Sequence, residues 1–312
     1  MWIAISVAAI VIAGPKLPLD RPSMNQMSTA GQVINSFVSL VAILLLMMLV
    51  EWLARHRPLP DLAARAPDRS VALRETIALW VYGAAVLVAG HFLGLRLFGG
   101  GIGLHLNGSL FGATRVQSPH EVYTWAAYNF VLLAVIPYGV FRFRGYSRES
   151  LNLRSSNLRN DILVIAVVLG IGILLAFTGP NIFQLTPHQQ LVGGLLSFTV
   201  HLFGTDLPIM IFIYAILLPR YFKLASPATA YLLGAASYPV MHVFEYWTRY
   251  DTPSHAVLSV IFVFLTLFPA GLMKSFLTMR TGNAWVHLWA FHAIVPHVTL
   301  DTRLLVHDFH IR

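Results

Sequence analysis

The sequence predicts an all-α fold, a polytopic transmembrane helical bundle of eight or nine spans. Three observations carry this. Of 312 residues, 57% are hydrophobic; only 11% are charged, against about a quarter in an ordinary soluble domain; and the mean hydropathy is +0.69. A membrane crossing takes about 20 apolar residues, and runs approaching that length recur along the whole chain.

Apolar segments fall at about 1–14, 34–53, 74–97, 121–141, 161–178, 191–218, 227–247, 256–273 and 282–300. The first rises only about 21 Å against a hydrocarbon core of about 30 Å, so it is a short span or an interfacial segment. It has no charged start, and Gly14-Pro15 stands where a cleavable signal would carry small residues. The second ends before Arg55 and Arg57, and the fourth before Arg142 and Arg144. The sixth leaves through Leu217-Leu218-Pro219-Arg220, the eighth stops before Lys274, and the ninth opens at Gly282.

Basic residues alternate from one connection to the next. Those after the second, fourth, sixth and eighth segments hold Arg55, Arg57, Arg65, Arg69 and Arg74; then Arg142, Arg144, Arg148, Arg154 and Arg159; then Arg220 and Lys223; then Lys274 and Arg280. That is 14 of the 21 Lys and Arg, which places the 54–73 and 142–160 loops in the cytoplasm of a plasma or inner membrane. The formal charge of +8 is spread over short loops without a basic stripe, so the expected partner is the lipid bilayer and not nucleic acid. Cysteine is absent, which removes disulfides, thiolate metal sites and cysteine nucleophiles. The run Gly99-Gly100-Gly101-Ile102-Gly103 follows no strand and opens no helix, so it reads as a flexible external loop and not a phosphate loop.

An ionisable group at the bilayer centre costs about 3 kcal/mol, so each one needs a partner or a purpose. They concentrate in three segments: His201 and Asp206 in the sixth, His242 and Glu245 in the seventh, and His287, His292 and His297 in the ninth. With alternating helix directions, Asp206, His242 and His292 fall at a common depth. His242 and Glu245, at i and i+3, are expected to share a helix face. His292 and His297 are separated by about 140° on an α-helix, so only one of them is expected at a common site. His91 and His201 read as struts, His287 as interfacial, and His307 and His310 as solvated.

The run Met279-Arg280-Thr281-Gly282-Asn283-Ala284-Trp285 with Ala290-Phe291-His292-Ala293 resembles the last motif of the CAAX protease and bacteriocin-processing (CPBP, or Abi) family of membrane-embedded proteases. Tyr238-Pro239-Val240-Met241-His242 is similar to that family's aromatic-x-x-x-His motif, and the stretch from Tyr146 to Arg159 is similar to the basic segment before its core. The likeness covers about residues 146–300 and implies a CPBP-like core over 146–312, with 1–145 as N-terminal transmembrane helices and loops. The family's Glu-Glu-x-x-x-Arg motif is replaced: Ile209, Met210 and Tyr214 occupy those positions, and Pro296 stands at the family's asparagine. The resemblance implies an endopeptidase that cleaves a membrane-associated peptide or protein substrate with activated water. Candidate catalytic residues are Asp206, Glu245, His242 and His292. No cofactor is expected; a divalent metal such as zinc is compatible with two histidines and a carboxylate, although H-E-x-x-H is missing. The alternatives are an inactive protein of the same fold serving as scaffold or binding partner, and a small transporter.

Overall fold

A computed structural model of the chain describes residues 2–21, 24–108, 116–179 and 181–312; these form helices and the connections between them, with no strand among them. In chain order the helices are α1 (Trp2–Ala13), α2 (Thr29–Ala54), α3 (Arg69–Phe98), α4 (Pro119–Phe143), α5 (Leu158–Ala176), α6 (Pro187–Leu224), α7 (Pro227–Met241), α8 (Pro253–Thr281), α9 (284–300) and α10 (Thr302–Asp308). Six of them, α2 to α6 and α8, are long and apolar enough to cross a membrane.

Local chemistry sets the ends. Side chains of Ser28, Asn157, Thr186, Ser226, Thr252 and Asn283 accept from first-turn N–H groups. Proline opens α4, α6, α7 and α8, where its missing N–H costs nothing. Gly99 and Gly282, at φ of 59° and 65°, close α3 and α8 in the left-handed conformation that glycine adopts without strain.

The centre of the bundle is α6, a 38-residue helix in which every residue from 208 to 221 is buried. A helix apolar all round must be surrounded, and the others surround it. One core joins Leu79 and Val86 of α3, Leu133 of α4, Met210 to Leu218 of α6, Met241 of α7 and Leu288 of α9, so it draws on both 1–145 and 146–312. In contrast, α2 and α5 leave Phe37, Val38, Leu45, Ile162 and Leu174 exposed, as on a lipid-facing surface.

Four stretches widen to i→i+5 bonding just ahead of a proline: Phe130–Val135 before Pro137, Leu202–Asp206 before Pro208, Met210–Leu217 before Pro219, and Leu288–His292 before Pro296. A fifth, Val295–Leu300, contains Pro296. A proline ring lacks the N–H and crowds the carbonyl four residues back, and a π turn relieves both by adding a residue. Three of these turns carry Asp206, His292 and His297.

Three sequence expectations are corrected here. The glycine-rich connection is not a flexible external loop: Ile102, Leu104, His105, Leu106 and Asn107 are buried, and Leu104 N–H donates to the Gly90 carbonyl at 3.0 Å. Gly90 and Gly94 admit it, because a Cβ at Gly94 would stand 2.6 Å from Gly103 Cα. Gly94→Ala is therefore expected to lower stability by about 1–3 kcal/mol, read as a lower thermal midpoint in detergent. Secondly, Arg220, Lys274 and Arg280 lie within α6 and α8 and are buried, not in connections, because each has an internal partner. Thirdly, His287 is not interfacial; it is buried, with Nδ1 3.1 Å from Thr278 Oγ1 and its ring against Tyr214.

The connections after α2, α4 and α8 meet at one end of the bundle. Arg57 pairs with Asp161 and donates to the Thr281 carbonyl and Ser156, while Arg65 donates to Asn152 and the Gly282 carbonyl at 2.6 Å. Arg280 closes the same end through Glu51 at 2.9 Å.

Candidate active site

Asp206 lies in the π turn of α6, and His292 and His297 lie in successive π turns of α9. Asp206 Oδ1 is 3.3 Å from His292 Nδ1 and 3.3 Å from His297 Nε2, with all three side chains essentially sealed from solvent. The expectation that only one of the two histidines reaches the site is thus corrected. Five residues turn about 140° past a full circle in an α-helix, whereas i→i+5 bonding brings such a pair close to one face. The widening is visible in Ala293 N–H to the Leu288 carbonyl and Thr299 N–H to the Ile294 carbonyl, at 2.9 and 3.1 Å.

Behind this group stands a second one. His297 Nδ1 is 2.9 Å from Asp301 Oδ2, and the same oxygen is 3.2 Å from His201 Nε2. The imidazoles of His201 and His297 stack with centroids 4.4 Å apart. His201 is anchored through Nδ1 to the Ser197 carbonyl at 2.8 Å, and Ser197 Oγ donates to the His297 carbonyl at 2.5 Å. Gly204 lets Trp125 lie flat against α6 beside His201, since a Cβ there would enter the indole ring. Trp125 in turn donates to the His105 carbonyl at 2.9 Å, which ties the buried 102–107 connection to the site.

His242 and Glu245 are placed differently from the expectation of one shared helix face. Helix α7 stops at Met241, and residues 242–248 fold as successive turns, with Glu245 N–H bonded to the His242 carbonyl and Thr248 N–H to that of Glu245. Both side chains are buried and flank Gly108, whose N–H donates to Glu245. His242 is held through Nδ1 by the Tyr238 carbonyl at 2.7 Å, and Tyr238 also touches His292 edge-on at 5.8 Å. Asp206 and His292 are thus brought together, His242 stands one ring away, and Glu245 lies apart from Asp206.

A cavity of about 440 Å³ reaches His292 on one side and Glu245 on the other; Tyr238, Lys274, Arg21 and Gly108 also line it. Lys274 is buried with Nζ 3.4 Å over the Tyr238 ring, the one cation among the described residues that shares this cavity with His292 apart from Arg21. Chemically, the arrangement offers a carboxylate and two imidazoles around one point, a supporting Asp–His pair, and a cation facing the same apolar space. Such a set can hold a water and stabilise negative charge next to a bound apolar chain.

Sequence reasoning admitted only one of His292 and His297, set His201 aside as a strut, placed Lys274 in a connection and missed Asp301. Pro208 and Pro296 were the available signal, since a proline within a long apolar run marks where helical spacing changes. Asp301 follows His297 by four residues, one turn on, but it lies beyond the last apolar segment. Compared with protein families, curated proteins and solved structures, the chain matches none.

Proposed function

We propose that this protein is an integral-membrane hydrolase, an endopeptidase of CPBP-like type acting on a membrane-associated peptide. The observation that carries the reading is the convergence of Asp206, His292 and His297 from two helices, with His292 lining an apolar cavity that Lys274 also lines. In the reaction, water held by the Asp206 group attacks the scissile carbonyl and its proton passes to that group. The oxyanion that forms faces Lys274 and His242; the C–N bond then breaks as the amine takes the proton back. The missing Glu-Glu-x-x-x-Arg pair is replaced in this scheme by Asp206 and Lys274, with Asp301 and His201 fixing His297.

In the same reading the short helices α1, α7 and α9 cross or enter the bilayer beside the six longer ones, giving eight or nine spans. The 54–73 and 142–160 loops face the cytoplasm. Support comes from the shared end at which Arg57, Arg65 and Arg280 gather.

Full-length protein in detergent, given a panel of membrane-anchored and prenylated reporter peptides, is expected to cleave at least one. His292→Ala is expected to lower the rate at least about 100-fold. Wild-type protein that cleaves none while retaining its cellular phenotype in the His242→Ala and His292→Ala variants would overturn the reading and favour a scaffold. Solute flux into proteoliposomes would favour a carrier.

A further inference from the structure

We propose that Asp206, His292 and His297 form a divalent-metal site of the zinc class, with its fourth position open to water. The inference rests on the hydrolase reading only for the use made of that water; the site itself rests on geometry.

Zinc binds imidazole nitrogen and carboxylate oxygen at about 2.0–2.2 Å, so neighbouring ligand atoms of its tetrahedron lie about 3.3–3.5 Å apart. Both separations from Asp206 Oδ1 are 3.3 Å, and the three donor atoms fall within 4.8 Å of one another. The shorter edges of an octahedral site, about 3 Å at the same bond lengths, fit less well.

The contacts are close without being hydrogen bonds. Both Asp206 oxygens, both His292 nitrogens and His297 Nε2 are buried and have no hydrogen-bond partner among the described residues. A carboxylate and imidazoles buried this way are costly, because contacts at 3.3 Å without hydrogen-bond geometry repay only part of their desolvation. Donor atoms gathered this closely with unfilled hydrogen-bonding capacity are what a cation between them satisfies.

The far side of His297 fits as well. A metal-ligating histidine characteristically donates its other ring N–H to a carboxylate, and His297 Nδ1 is 2.9 Å from Asp301 Oδ2. His201, at 3.2 Å, supports Asp301 in turn. The second possible group, His201 with His297 and Asp301, is closed on itself by that bond and serves as the outer layer. With no cysteine in the chain, the ligand set is two nitrogens and an oxygen, which suits zinc and its first-row neighbours. Asp206 is then a ligand, and the water it helps to hold is acidified by the ion.

The test uses the full chain in detergent, stripped with a chelator, loaded with equimolar zinc and washed. Elemental analysis is expected to give about one zinc per chain, and cobalt in its place is expected to give the visible absorption of a four-coordinate site. Asp206→Ala, His292→Ala and His297→Ala are expected to retain less than about a tenth of the metal. Asp301→Asn, at a positioning residue, is expected to bind about 10–100-fold more weakly while keeping the cobalt spectrum. His188→Ala, at the surface, is expected to load like wild type. Should an alanine variant not fold, wild-type protein supplies a second reading: zinc raises its thermal midpoint and chelator reverses the rise. Folded wild type that keeps no zinc, or ligand variants that keep all of it, would overturn the proposal. Cleavage that persists in fully stripped protein overturns the metal's part in activating the water and leaves the hydrolase. One zinc per chain with no cleavage of any membrane peptide does the reverse.

Discussion

Asp206→Asn is expected to lower peptide cleavage by about 10²–10⁴-fold, because it removes the carboxylate held between His292 and His297 while preserving volume. The side chain is fully buried and neither oxygen has a hydrogen-bond donor among the described residues, so an amide of the same shape takes its place without opening a cavity. Protein yield and thermal midpoint are therefore expected to change little, and the loss is expected in kcat. Glu245→Gln supplies the contrast. Its carboxylate accepts from Gly108 N–H and lines the far part of the cavity, so the variant is expected to act mainly through KM, with kcat reduced less than about tenfold. The reverse pattern, with Glu245→Gln losing kcat and Asp206→Asn only binding, would move the reacting group to the 242–248 turns.

Glu75→Ala is the substitution expected to damage the fold most. Glu75 is buried in the second turn of α3, accepts from Arg220 Nε and the Tyr146 hydroxyl, each at 2.8 Å, and pairs with Arg220 Nη2 at 2.7 Å and Arg144 at 2.9 Å. Removing it leaves the guanidinium of Arg220, itself buried against the Phe141 ring, without a counter-ion. Breaking a buried pair from one side costs about 3–5 kcal/mol. The expected observation is a large drop in thermal midpoint, or loss of folded protein on extraction. The double variant Glu75→Leu with Arg220→Met tests the cause, since replacing both charges with apolar groups is often neutral and should restore much of the loss. Tyr146 remains a donor throughout: burial, and after it the bond to Glu75, push its phenol above the usual range.

The helices were legible because hydropathy and flanking charge are local properties. Each of the nine apolar segments overlaps a helix, from Trp2–Ala13 to 284–300. The pairing of Asp206 with His292 was also readable, since depth along antiparallel helices needs only residue counts and direction. Rotation about a helix axis was not. It depends on whether the backbone keeps i→i+4 bonding, and the turns ahead of Pro208 and Pro296 abandon it, which brings His297 to the site with Asp301 behind it.

Sequence by itself determined an all-helical, lipid-facing chain and the residue types that had to be buried at its centre, because apolar length and the cost of buried charge follow from composition. Tertiary structure alone decided which of those groups meet. Lys274 turned from a loop cation into a cavity wall, Glu245 left the helix for a turn against Gly108, and the glycine-rich connection folded inward, each through contacts between segments distant in the chain. Such contacts arise where side chains from different helices interlock, and no window of neighbouring residues contains that information.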